Sequence, residues 1–319
     1  MNKNDEKTMV RMQNLCGAEY LMYEGQAPRR VIENIWLRIR TGQVWAIYAL
    51  TPYEAALLLQ IMANVHPYED GRCVLAERGM MRKKRVILPH VFYIGSADMM
   101  YDTMNVLEYL MFATAKQRTK PAARQERLFE WLIECGLGDL LLTEIRWLDA
   151  EEKAIVILMA AAFAQSGIVV FNMPQLEFNE NLLRAFAHIS SRMREDGKAL
   201  ILSTTDARLI QSACTHAAFL AHGHILFQGS VDGLRAHFDV YTVRIEADEI
   251  LEERLRESFR EYRLDRKNDG LYICGRAGET PQEIFRNILD SGIVPLDMKV
   301  HQKTVKNALG ELAHRHGLS

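Results

Sequence analysis

The sequence predicts an α/β protein: a mixed sheet core with a helical subdomain, followed by a small α+β domain. Three observations carry that reading. Residues 44–50, 168–171 and 199–204 are apolar, β-rich runs, as expected of strands buried on both faces of a sheet. Residues 105–164 are almost wholly helical in periodicity, with Leu/Ala-rich faces and few β-branched residues before Ile155. After Phe238 the texture changes to short elements in the order β-α-β-β-α-β, the ferredoxin-like pattern.

Taken in order, residues 1–17 read as an N-terminal tail, polar and charged at its start. Residues 18–23 and 32–39 read as antiparallel strands, the second ending at the turn Arg40-Thr41-Gly42. The buried strand 44–50 is followed by a helix to about residue 65, then by short strands near 73–76 and 91–94. Between these lies the basic cluster Arg82-Lys83-Lys84-Arg85, read as a solvated turn because no aromatic residue interleaves it. Beyond the helical block, strands 168–171 and 199–204 flank an amphipathic helix at 179–195, which suits a right-handed parallel crossover. A hairpin, 217–220 and 225–227, turns at His222-Gly223-His224; with no third ligand nearby these histidines read as turn residues. The last segment runs strand 241–246, helix 250–259, hairpin 262–274, helix 281–291, strand 293–300 and helix 305–315. The expected domains are 18–239, with the helical part at about 97–164, and 240–319.

Composition narrows the function classes. The chain has 319 residues, 49% of them hydrophobic and 25% charged, ordinary values for a globular protein. A net charge of -2 offers no global attraction to nucleic acid or anionic membrane. Cys16, Cys73, Cys135, Cys214 and Cys274 form no C-x-x-C pair and read as small buried hydrophobes in a reducing compartment. No signal-peptide run opens the chain. The apolar stretch 154–171 is broken by Gln165-Ser166-Gly167 and falls short of the ~20 residues of a membrane span. A cytoplasmic protein is expected.

Residues 18–238 resemble the ATP-binding cassette of ABC transporters, particularly the type serving multidrug or peptide exporters. The residues that carry the resemblance are Val31–Ile39 with Thr41-Gly42-Gln43-Val44, His66-Pro67, Asp70-Gly71-Arg72, Val91–Ser96, Met104–Leu110, and Leu226–Ser230 with Leu234. The C-terminal module, with Thr304-Val305-Lys306 opening its last helix, resembles the domain appended to such subunits. The resemblance implies a P-loop NTPase-like cassette fold, ATP and magnesium as the family's cofactors, and a membrane permease as partner.

A phosphate-binding loop needs G-x-x-x-x-G-K-[ST]: the glycines let backbone N–H groups wrap phosphate, the lysine reaches its oxygens, and the hydroxyl holds magnesium. The matching octet runs from Ala49 to Ala56. Ala49 and Glu54 replace the glycines, Ala55 the lysine and Ala56 the hydroxyl, and Pro52 supplies no N–H. Thr51-x-x-Glu54 also reads as a capping box with Pro52 first in the helix, so a collapsed, self-capped loop is expected. The family's signature loop aligns with Leu148-Asp149-Ala150-Glu151-Glu152, a second capping box with three carboxylates where γ-phosphate would approach. Like charges about 4 Å apart cost roughly 4 kcal/mol at an effective dielectric near 20. Asn172 and Met173 stand where the family has Asp-Glu, Thr205 at the switch histidine and Ser96 at the Q-loop glutamine. Glu177-Phe178-Asn179 lacks the usual D-loop ending, and Tyr23 is the one residue left with a family role, as the adenine-stacking aromatic.

These readings predict no catalytic residue, no intact cofactor-binding or metal residue, and no bound ATP or magnesium. The expected function is that of a pseudo-ATPase cassette, peripheral on the inner face of the cell membrane. It would bind a permease and pair with an ATP-competent cassette or with itself, and would not bind nucleic acid. The alternatives are a scaffold that reuses the fold without a permease, and a weakly active ATPase.

Overall fold

The computed structural model describes residues 7–22, 27–76, 78–79, 90–96, 100–117, 119–237, 241–267, 270–275, 280–295, 297–302 and 304–318. The chain divides into two compact units, Met1–Ser230 and Val231–Ser319. The change of sequence texture placed this division at 239/240, within the undescribed residues 238–240.

The first unit opens with strands β1 (Thr8–Gly17), β2 (Tyr20–Leu21), β3 (Arg29–Arg30), β4 (Ile35–Arg40) and β5 (Val44–Ala49), then helix α1 (Pro52–Met62). Strands β6 (Tyr68–Leu75), β7 (Arg78–Gly79) and β8 (Val91–Ile94) lead to helices α2 (Val106–Ala113), α3 (Pro121–Glu134) and α4 (Ala150–Phe163). The order then continues β9 (Ile168–Asn172), α5 (Glu180–Glu195), β10 (Ala199–Thr204), α6 (Ala207–Ala213), β11 (His216–Ala221) and β12 (His224–Ser230).

Residues 8–17 are therefore not a tail. β1 sits between β4 and β6 in an antiparallel sheet ordered β4-β1-β6-β7. Its register shifts between Met12 and Leu15, and Asn14 takes a positive φ of 49°, so the alternation that would announce a strand is interrupted. Gly71 sits opposite this bulge; a Cβ there would lie 2.0 Å from the carbonyl oxygen of Asn14. The larger sheet has the order β12-β11-β5-β10-β9-β8, parallel except for the edge strand β12. The runs expected to be buried on both faces are its central strands β5, β9 and β10.

One hydrophobic core joins the two sheets through α1. Leu57, Leu58, Leu59, Ile61 and Met62 pack with Met12 and Leu15 of β1, Ile35 and Ile39 of β4, and Ile47 of β5. Most of α1 is apolar and buried, and the helix ends where Asn64 turns to a positive φ of 60°. The suspect stretch 154–171 divides as anticipated into a buried helix and a buried strand, α4 and β9. Among the described residues no helix is long and apolar enough to cross a membrane.

The second unit contains α7 (Val231–His237), β13 (Tyr241–Ile245), α8 (Glu249–Ser258), β14 (Arg263–Lys267), β15 (Gly270–Cys274), α9 (Pro281–Asp290), β16 (Met298–Gln302) and α10 (Val305–Arg315). The last strand begins at Met298, later than the periodicity suggested. The sheet order β14-β15-β13-β16 is antiparallel throughout, the ferredoxin-like arrangement expected from the element order. Its separate core includes Val243, Ile245, Leu255, Phe259, Leu271, Ile273, Ile284 and Ile288.

Candidate functional site

The octet Ala49–Ala56 leaves no loop long enough to wrap a phosphate. β5 ends at Ala49 and α1 starts at Pro52, so only Leu50 and Thr51 connect them. The helix begins where expected, but the predicted Thr51–Glu54 capping box does not form. Thr51 is the N-cap by backbone geometry, and its side chain makes no capping hydrogen bond. Glu54 donates its N–H to the Thr51 carbonyl, at 3.1 Å, while its side chain turns inward and is only 4% exposed. There the carboxylate lies 3.8 Å from the Arg29 guanidinium and close to the backbone N–H of Gly223. These partners outweigh the local cap, because a buried carboxylate needs charge-assisted donors. Burial pushes the Glu54 carboxyl above the usual carboxylate range, and Arg29 opposes the shift.

The same helix start is tied down on its exposed side. Tyr53 donates its hydroxyl to Glu19, whose other oxygen lies 2.6 Å from His66. Arg29 also meets His222 Nδ1 at 2.7 Å. Two polar clusters thus anchor the first turn of α1 to neighbouring segments, in addition to its apolar packing.

Asn172 closes the site from the sheet. Its amide nitrogen donates to the carbonyl oxygen of Ala56, at 3.1 Å, and to the Tyr93 hydroxyl, at 3.0 Å. Its amide oxygen accepts from Ser203, at 2.8 Å. The amide orientation follows from Ala56, because a carbonyl oxygen can only accept. Parallel pairing of β9 with β10 sets Ser203 opposite Asn172, and β8 brings in Tyr93. Gly95 makes room for the ring of Tyr93, since a Cβ there would lie 2.6 Å from it. Tyr93 and Ser203 escaped the sequence reading; the register of three adjacent parallel strands is the signal that places them here.

The other site positions are structural fixtures. Asp149 caps α4 with both arms of the predicted box: Glu152 N–H to Asp149 at 2.7 Å, and Asp149 N–H to Glu152 at 3.0 Å. Ala150 and Glu151 occupy the first turn, where acidic charge suits the helix dipole. Asn179 caps α5 through Leu182 N–H at 3.0 Å. Thr205 donates to the Pro174 carbonyl at 3.4 Å, partly buried Met173 follows β9, and Ser96 lies just beyond β8. The octet and Asn172 are brought into direct contact, while the Asp149–Glu152 box is satisfied within its own helix. Tyr23, the basic cluster 82–85 and residues 97–99 lie outside the described residues.

This donor set does not fit a magnesium–nucleotide. Ala55 and Ala56 bring methyl groups where an ammonium and a hydroxyl are required, and Pro52 has no N–H. The Asn172 amide is already committed to three partners. Among the described residues no group of three or more His, Cys, Asp or Glu is arranged to hold a metal ion.

No protein-family model matches the chain. It is similar to a methionine import ATP-binding protein of Lactiplantibacillus plantarum, 20% identical over 213 residues, covering 65% of this chain and 60% of that one. A histidine/lysine/arginine/ornithine transport ATP-binding protein of Escherichia coli is 24% identical over 170 residues, covering 52% and 64%. The chain thus spans less than two thirds of either curated relative. Among solved structures, the ATP-binding subunit of an ABC transporter matches with a TM-score of 0.58 and 18% identity, over 72% of this chain and 93% of that one. The cbiO1 protein of Clostridium perfringens, part of the ABC transporter complex cbiONQ, matches with a TM-score of 0.58 and 14% identity, over 80% and 97%. The fold is that of an ATP-binding cassette, and the curated relatives support the ABC transporter ATP-binding family.

Proposed function

We propose that this chain, an ATP-binding cassette by fold and by its relatives, is a non-catalytic subunit that serves a membrane permease beside an ATP-competent cassette or a second copy of itself. The observation that carries the reading is Asn172, held by Ala56, Tyr93 and Ser203 where magnesium chemistry would require charge and open coordination. A side chain bonded in this way builds the fold and leaves the metal no ligand. With the octet closed and the signature position acidic, neither half of a shared nucleotide site remains in this chain. Its contribution is then mechanical or regulatory, exerted through contact. Exposed Tyr101 and Phe112, edge to face with centroids 5.3 Å apart, offer apolar surface in the helical part for such contact.

Purification of the tagged full chain in mild detergent tests the proposal. Recovery of a polytopic membrane protein with an intact cassette supports it. Recovery of soluble partners alone supports the scaffold alternative. Calorimetric titration of the purified chain supplies the second criterion: magnesium-dependent ATP binding below millimolar concentration would overturn the non-catalytic reading.

A further inference from the structure

The outward face of the antiparallel sheet carries a cluster of arginines. Strand alternation buries Met12, Leu37 and Ile39 and turns Arg11, Gln13, Trp36, Arg38 and Arg40 outward. Pairing of β1 with β4 sets Arg11 directly opposite Arg38, and pairing with β6 sets Arg72 opposite Gln13. Like charges directly opposite across a sheet are destabilising. Among the described residues no carboxylate lies within ion-pair distance of Arg11, Arg38 or Arg72; Arg38 donates instead to the Thr8 hydroxyl at 3.0 Å. The sheet's own acids stand at its other end, where Glu69 is held by Tyr20 and Arg30.

This face forms one wall of a cleft of about 810 Å³, closed on the other side by Gln228–Ser230 of β12. Among the described residues no carboxylate lines it. At its floor Gln43 accepts from the Arg40 backbone N–H, at 2.8 Å, and from Trp45 Nε1, at 2.9 Å, and Trp45 stacks on His216 with centroids 4.9 Å apart. The outer strand of each sheet, β4 and β12, borders the cleft.

We infer that this cleft docks an extended acidic segment of a partner protein. Guanidinium groups fork onto carboxylates. Glutamine side chains and a sheet edge match the amides of an extended chain. Single-stranded nucleic acid fits less well, because it requires successive open stacking surfaces. Here Trp36 is 52% exposed, whereas Trp45 is 5% exposed and already stacked. A bilayer surface also fits less well, since part of the charge lines a recess.

The test is fluorescence anisotropy of a labelled peptide of six Glu-Thr repeats with the full chain, beside its Gln-Thr counterpart, an oligouridylate of equal charge, and phosphatidylserine vesicles. The Glu-Thr peptide is expected to bind with an affinity that falls as salt rises. R11Q/R38Q is expected to weaken binding at least about tenfold, the loss of roughly one charge-assisted contact. That variant should also melt at or above the wild-type temperature, which a purely structural role for the two arginines would not produce. K116Q, an exposed charge in the helical part, should bind as wild type. Absence of peptide binding, equal binding of the Gln-Thr peptide, an unaffected R11Q/R38Q, or tighter binding of the oligouridylate or vesicles would overturn the inference.

Discussion

Asn172→Asp restores the acid that the family resemblance assigns to this position, and the structure says that the change is harmful. The Asn172 amide nitrogen donates to the Ala56 carbonyl and the Tyr93 hydroxyl, while its oxygen accepts from Ser203. A carboxylate keeps Ser203 and can also accept from Tyr93, whose hydroxyl rotates. It cannot donate to Ala56, and it sets a charged oxygen 3.1 Å or so from a carbonyl oxygen. An unsatisfied buried carbonyl costs about 1–3 kcal/mol. The poorly compensated buried charge adds to that, for a total on the order of 3 kcal/mol near neutral pH. In a unit of this size such a loss lowers the melting temperature by about 6–12 °C. The introduced group's pKa is raised in the folded state, so the cost is small below its unfolded value and grows as pH rises through the folded one. Thermal unfolding followed across that range, with ATP titrations in magnesium, reads both consequences. A variant that melts like the wild type at neutral pH, or that gains magnesium-dependent ATP binding, would refute the argument.

The two capping sequences should respond differently to alanine. D149A, which removes a formed cap, costs about 1 kcal/mol; T51A, whose side chain makes no capping bond, stays within about 0.5 kcal/mol, as urea midpoints will show. Burial raises the Glu54 pKa, so part of the fold's stability is fully present below the unfolded value and lost as pH rises through the folded one. E54Q should flatten that part of the melting-temperature profile, above the usual carboxylate range. Burial also pushes the Cys73 and Cys135 thiols up to about 12, and raises that of Cys214. Cys73 and Cys135, both buried, should resist a thiol-reactive disulfide reagent in the native protein and react on unfolding, and native-state labelling of either would contradict the packing.

The difference between the two capping boxes shows where sequence reading stops. Both have the same spacing, and both begin a helix at the expected residue. Asp149 and Glu152 satisfy each other, as local geometry dictates. Glu54 instead takes partners from the β3 strand and the β11–β12 turn, far away in sequence. Local spacing names the possible bond; tertiary contacts decide between bonds. The same limit hid β1. Its bulge at Asn14 breaks the period of two, and the strand became visible only through its pairing with β4 and β6. The central strands were legible because burial on both faces leaves an apolar run that needs no register to be recognised.

The departures from the family pattern are visible in the sequence, whereas the network that joins these residues is not. Ala55 and Ala56 announce missing chemistry from the sequence alone, since no methyl group binds phosphate or magnesium. What replaces it is written in strand register: Ser203 opposite Asn172 on adjacent strands, Tyr93 one strand further, Gly95 clearing the space for its ring. Each member is ordinary in its own segment, and only together do they satisfy one another. Such a network is more stable complete than half restored, because each partner removed leaves another buried and unpaired. Reinstating single family residues should therefore destabilise the fold before it recovers any nucleotide chemistry. Recovery would require the loop, its helix start and the Asn172 network to change together.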